Sequence, residues 1–157
     1  MNQTKNRLFS KVSLKTIFFI QNKWHQHGVL VHTFRVVYYI LKARDFKLLV
    51  AGFLHDVGKP STAFKKDEED YEFDEYSFTD HEERSYQMIK NLPFISNYTK
   101  NIVRYHYLIR DIKKSKTEDY ERYLIKEKIW DSLSKSIKED LRRFLIYDDL
   151  GKGKKRR

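Results

Sequence analysis

Apolar residues recur at helical spacing along most of the chain, and little interrupts them. Among 157 residues there are five glycines and two prolines, too few for a turn-rich β protein. Leu14, Ile17, Phe18 and Gln21 start one face of a first helix running to about Trp24, and Gly28 breaks it. Leu30, Phe34, Val37, Tyr38 and Leu41 form the core stripe of a second helix. Phe46, Leu49, Val50, Phe53 and Leu54 form a third, stopped by Gly58 and Pro60. Residues 61–78 read as a long polar, acidic loop. Thr79 and Glu82 fit a capping box for a helix to about Leu92, which Pro93 ends. Asn97 can cap a helix to about Leu108. Two more helices follow near 117–130 and 133–147, the latter with Leu133, Ile137, Leu141, Phe144 and Leu145 on one face. The expectation is one all-α domain over residues 1–150, with six to seven helices. Residues 151–157 are expected to be a basic, solvated tail.

Composition narrows the class further. Hydrophobic residues make up 40% of the chain, with 11 Tyr, 11 Phe and 2 Trp, which excludes a disordered chain. The absence of cysteine excludes a disulfide scaffold and any thiolate metal or redox site. No stretch approaches the roughly 18 apolar residues of a membrane span. The basic N-terminus (Lys5, Arg7, Lys11, Lys15) precedes an apolar run too short for a signal peptide. A cytoplasmic protein without membrane contact is therefore expected. The net charge of +10 is uneven: +8 over residues 1–60, −6 over 61–99 and +8 over 100–157. The basic flanks are compatible with RNA, although the excess of Lys over Arg also fits A/T-rich coding.

Six histidines remain to be explained. Four are dispersed, one to each of four expected helices: His32, His55, His81 and His106. His55 is followed at once by Asp56, and Asp148 comes near the end of the last helix. Antiparallel packing can bring such residues to one level of a bundle, where imidazoles and carboxylates form a metal site. Mixed nitrogen and oxygen ligands suit Mn, Fe, Co, Ni or Zn better than Ca. His25 and His27, just before Gly28, read as surface or rim residues.

The segment from Trp24 to Gly151 resembles the HD-domain superfamily of metal-dependent phosphohydrolases. The matching residues are His32 in VLVHTFRVV, His55 and Asp56 in AGFLHDVGKP, His81 in FTDHEERS, His106 in VRYHY and Asp148 in FLIYDDLGKG. The resemblance implies the HD-domain helical bundle. The HDVGKP and HEE-Ser segments are most similar to HD domains attached to bacterial tRNA nucleotidyltransferases and their stand-alone relatives. Carried over by position, it implies that His32, His55, Asp56 and Asp148 hold a first divalent metal. Asp56 would bridge to a second, held by His81 and His106, although those two could instead be outer groups around a single ion. The metal would be Mn, Fe, Ni, Co or Mg. Two such ions about 3.5–4 Å apart can share a hydroxide and clamp the oxygens of a displacement at phosphorus. Asp148 is preferred over Asp149 because Gly151 follows it at the family's spacing.

The resemblance also implies a phosphate contact for Lys59, against a plain solvated lysine. Arg84 and Arg110 each fall three or four residues past a ligand histidine, so either could meet a phosphate or stay on the surface. Trp24, Phe64, Phe73 and Tyr76 could stack on a base or simply pack. The implied activity is hydrolysis of nucleotide or nucleic-acid-end phosphate esters, 2′,3′-cyclic phosphates or terminal monoesters, by metal-activated hydroxide. The alternatives are a phosphodiesterase for cyclic mono- or oligonucleotide signals and a non-catalytic nucleotide-binding module. The sequence leaves the oligomeric state open.

Overall fold

The computed structural model describes residues 13–155. Lys5, Arg7 and Lys11 of the basic N-terminus lie outside that span, as do Arg156 and Arg157. The described chain is all-α apart from one two-stranded ribbon. Its elements are α1 (Leu14–Phe18), α2 (Val29–Lys42), a 3-10 turn (Phe46–Leu48), α3 (Leu49–Leu54), α4 (Lys59–Thr62), β1 (Ala63–Phe64), α5 (Glu68–Glu72), β2 (Ser77–Phe78), α6 (His81–Ile89), α7 (Asn97–Tyr105), α8 (Leu108–Glu118), α9 (Tyr120–Ser132) and α10 (Lys135–Lys152). α10, the longest, packs along α2, and α3 and α7 close the core beside them. Val36, Ile40, Leu48, Ala51, Ile89, Ile102, Val103, Leu141 and Phe144 fill it.

The core takes a side of α2 and α3 rotated from the one the stripes suggest. On α2, Val36 and Ile40 point inward with His32; of the stripe Val37 is buried, while Leu30, Phe34, Tyr38 and Leu41 are exposed. On the following turn and helix, Leu48 and Ala51 are buried and Leu49 and Leu54 pack partly against the core, while Phe46, Val50 and Phe53 are exposed. The inner face is selected by close approach. A Cβ on Gly52 would sit 2.7 Å from Ile40 Cδ1, so the small residues Ala51 and Gly52 let α3 press onto α2 on that side.

Several boundaries also differ. The first helix ends at Phe18 rather than near Trp24, and the chain then turns so that Gln21 is fully buried. The capping box at Thr79 and Glu82 does not form. Asp80, in the left-handed region with φ 51°, precedes α6, and Glu82 turns inward beside His81. Ser96, not Asn97, caps α7 by accepting from the Thr99 N–H. Residues 108–118, expected to be mostly connection, form α8. Its buried positions include Asp111 and Ser115, so apolar periodicity does not reveal them. Arg122 and Lys126 of α9 lie 2.9 and 2.8 Å from the Asp111 carboxylate and fasten the α8–α9 hairpin.

The acidic segment 61–78 is folded rather than irregular. β1 pairs antiparallel with β2, with Ala63 opposite Phe78, and α5 lies between them. Lys15 and Lys65 lie within 2.9 Å of Asp74, and Lys23 lies 3.3 Å from Glu69. Part of the sequence's charge asymmetry is thus paired locally. The start of the basic tail is not frayed either. Gly151 and Lys152 belong to α10, and a Cβ on the buried Gly151 would lie 2.5 Å from Val36 Cγ2. The Gln26 N–H donates to the Lys152 carbonyl, and the Lys154 N–H donates to Gln26 Oε1. None of the described helices is long and apolar enough to cross a membrane.

Candidate metal centre

Each cluster residue sits at a helix end or on an inward helix face. His32 lies on the core face of α2. His55 follows α3, and Asp56 occupies the turn before α4. His81 opens α6, His106 closes α7, and Asp148 lies in the last turns of α10. All six are buried, with relative exposures of 5% or less.

Asp56 is the centre of this group. Its Oδ2 lies 3.4 Å from His32 Nε2 and 3.2 Å from His55 Nε2. Its Oδ1 lies 3.6 Å from both His81 Nε2 and His106 Nε2. One carboxylate thus presents each oxygen to a separate pair of imidazoles. Asp148 Oδ1 adds a second carboxylate on the first side, 2.9 Å from His32 Nε2. Two groups here could hold a cation: His32, His55 and Asp56, and Asp56, His81 and His106.

The donor set fits divalent metal. His55 Nδ1 donates to the Gly52 carbonyl at 2.9 Å, and His106 Nδ1 donates to the Val103 carbonyl at 2.7 Å. Such bonds leave Nε2 available as a ligand. His32 Nε2 and His55 Nε2 are 3.2 Å apart, and two lone pairs at that distance need a proton or a cation between them. Asp56 Oδ1 has no well-directed donor among the described residues, while Lys59 faces Oδ2, so this buried carboxylate gains from a further cation on the Oδ1 side.

Charge follows the same pattern. Burial alone would raise the Asp56 carboxyl, but His55 and Lys59 outweigh it and hold it well below the carboxylate range. Burial also opposes charging of His55, yet Asp56 and Asp148 raise it to about 9. Burial lowers His32 and lowers His81 further, with the positive Lys59 adding to both.

Lys59 is buried inside the site rather than solvated. Its Nζ is 2.7 Å from Asp56 Oδ2 and donates to Gln21 Oε1 at 3.0 Å. Arg110 also reaches the site. It lies 2.5 Å from Asp148 Oδ2 and 2.6 Å from Asp149 Oδ1, tying both carboxylates to α8. Asp148 therefore turns inward, while Asp149 stays half exposed. Arg84 is not brought in: it donates to Ser61 on the surface.

A cavity of about 730 Å³ opens over the centre. Asp56, Lys59, His81, His106 and Asp148 lie at its floor, with Lys66, Lys114 and Lys152 around it. Trp24, Phe64, Phe78 and Tyr107 contribute aromatic wall; Phe73 and Tyr76 do not line it.

Two residues here escape sequence reasoning. His25 is buried in the cavity wall rather than placed at the surface. Asn22 Oδ1 accepts from the Trp24 N–H, which fixes it as the amide oxygen, and it lies 2.8 Å from His25 Nδ1. His25 Nδ1 is therefore the protonated nitrogen, and its buried Nε2 has no hydrogen-bond partner among the described residues. Gln21, the second, is read from the sequence only as a helix-face position. Its amide donates to the His27 carbonyl while its oxygen holds Lys59. No spacing rule marks either residue, because both act from an irregular turn.

A family model described as HD domain matches residues 29–136. The chain belongs to the HD-domain family. No curated protein and no solved structure matches it. HD domains are metal-dependent phosphohydrolases that bind divalent metals, and this chain is accordingly a hydrolase of that kind. His25 and Asp148 fall outside the matched segment; Asp148 is carried by the FLIYDDLGKG resemblance, and His25 joins the site only through the fold.

Proposed function

We propose that this HD domain uses two divalent metals to hydrolyse phosphate esters of nucleotides or nucleic-acid ends. The observation that carries the reading is Asp56, whose two oxygens each face their own pair of imidazole Nε2 atoms. His32, His55, Asp56 and Asp148 would hold one ion, and Asp56, His81 and His106 the other. When bound, the pair would acidify water and neutralise phosphoryl charge.

The protein's own groups do the rest. Nδ1–H bonds from His55 and His106 to backbone carbonyls orient those two rings. Arg110 restrains Asp148. Lys59, held by Gln21, keeps a positive charge beside Asp56, where it can favour a phosphoryl oxygen that gains charge. Lys66, Lys114 and Lys152 make the cavity attractive to anions, and its aromatic wall offers a surface for a base. Mn, Fe, Ni, Co and Mg all suit the nitrogen and oxygen donors to differing degrees.

The test is hydrolysis by chelator-stripped protein after addition of Mn²⁺, Ni²⁺, Co²⁺ or Mg²⁺. The panel holds a phosphomonoester, a phosphodiester, 2′,3′-cyclic and 3′,5′-cyclic nucleotides, and dNTPs. Metal-dependent turnover that disappears in Asp56→Ala is expected, and the preferred ester separates an end-processing enzyme from a signal-degrading diesterase. Nucleotide binding without metal, and with no phosphate released from any substrate, would replace this reading with a binding module.

A further inference from the structure

Among the described residues, a continuous apolar face lies on the outside of α2 and α3. Leu30, Phe34, Tyr38 and Leu41 follow one outward sector of α2. Phe46, Val50 and Phe53 continue it on the 3-10 turn and α3. The rings of Phe34 and Phe53 meet edge to face with centroids 6.4 Å apart, joining the two rows. These seven side chains are between 40% and 62% exposed.

We propose that this face pairs with the same face of a second copy of the chain, forming a two-fold dimer. Area supports the pairing. With 150–250 Å² per aromatic side chain and less per aliphatic one, the seven present on the order of 600 Å². A standard interface covers roughly 800 Å² per partner, and in homodimers about 65% of it is apolar, so roughly 520 Å² is needed. All seven residues are uncharged, so pairing them sets no like charges directly against each other, and the net charge of +10 makes the pairing strengthen with added salt. The flanking cations are partly engaged within the protomer: Arg35 donates to the Leu150 and Gly151 carbonyls, and Lys47 to Asp140. Lys42 and Arg44, between the two rows, stay exposed, and the vesicle arm of the experiment below tests whether they draw the face to lipid instead. A self-complementary patch closes the assembly at two copies. None of the seven lines the cavity over the metal centre, so pairing leaves that site open.

The experiment is sedimentation velocity with light scattering on the full chain from 1 to 50 μM. The protomer is 19.2 kDa, and a species of twice that mass is expected at the upper concentrations. Phe34→Lys with Phe53→Lys should weaken dimerisation at least 30-fold, with helicity by circular dichroism and metal content unchanged. A wild-type chain that is monomeric at 50 μM overturns the proposal, as does a dimer the double variant does not weaken. A monomer that sediments with phosphatidylcholine–phosphatidylserine vesicles, and loses this in the variant, also overturns it and reassigns the face to lipid.

Discussion

Buried charge in this molecule is placed in pairs and clusters, and Asp111 shows its effect on stability most simply. Burial would raise its carboxyl, but hydrogen bonds from Arg122 and Lys126 outweigh it and hold the group below the usual carboxylate value. The unfolded carboxyl titrates near about 3.9. Stability from this contact is therefore present above that value and lost as pH falls through the depressed folded one. Asp111→Asn should cost about 2 kcal/mol at neutral pH. The gap from wild type should narrow below pH 4, measured by urea unfolding at pH 7 and pH 3. An unchanged gap at pH 3 would show that the ionised carboxylate is not the source. The metal centre obeys the same rule at higher stakes: Asp56 is fully buried among imidazoles, so a nearby cation is the condition for its burial.

Between elements, glycines decide how closely helices can cross. Gly58 ends the run after the His–Asp pair, but stopping a helix is the smaller part of its role. A Cβ there would lie 2.5 Å from the Ser85 backbone nitrogen and 2.8 Å from the His81 carbonyl. Its own N–H donates to Ser85 Oγ. The turn carrying Asp56 and Lys59 is thereby pressed onto α6, which carries His81. Gly58→Ala should destabilise the protein by about 2–3 kcal/mol, because backbone cannot swing aside as a side chain can. It should also lower metal affinity by moving His81 from Asp56. Thermal unfolding together with metal titration checks both, and a normal affinity in a folded variant would separate the crossing from the site.

Across the whole molecule, charge is distributed by the fold rather than by sequence order. The acidic segment meets lysines 15, 23 and 65, while Lys66, Lys114 and Lys152 gather at the cavity from three separate regions. A polyanionic substrate should feel the gathered cations together. Lys66→Glu with Lys114→Glu should raise KM for a nucleotide ester about tenfold or more, leave kcat largely unchanged, and reduce the dependence of kcat/KM on salt. Initial rates at two ionic strengths test this, and an unchanged KM would place the substrate elsewhere.

The sequence by itself determined the helical class, the set of histidines and aspartates that could bind metal, and the family they resemble. Those features are local: a periodicity, a His–Asp dipeptide, a spacing. Only the tertiary structure decided which side of α2 faces inward. Both sides are apolar, and the choice rests on how closely Ala51 and Gly52 allow α3 to approach. Only the fold could show α8, whose buried face sets Asp111 and Ser115 beside Leu108 and so breaks the apolar stripe. It alone brought Gln21 and His25 to the centre from a turn without periodicity, and left Arg84 on the surface. Spacing along a helix fixes which residues share a face; what that face meets depends on chain segments far away in sequence.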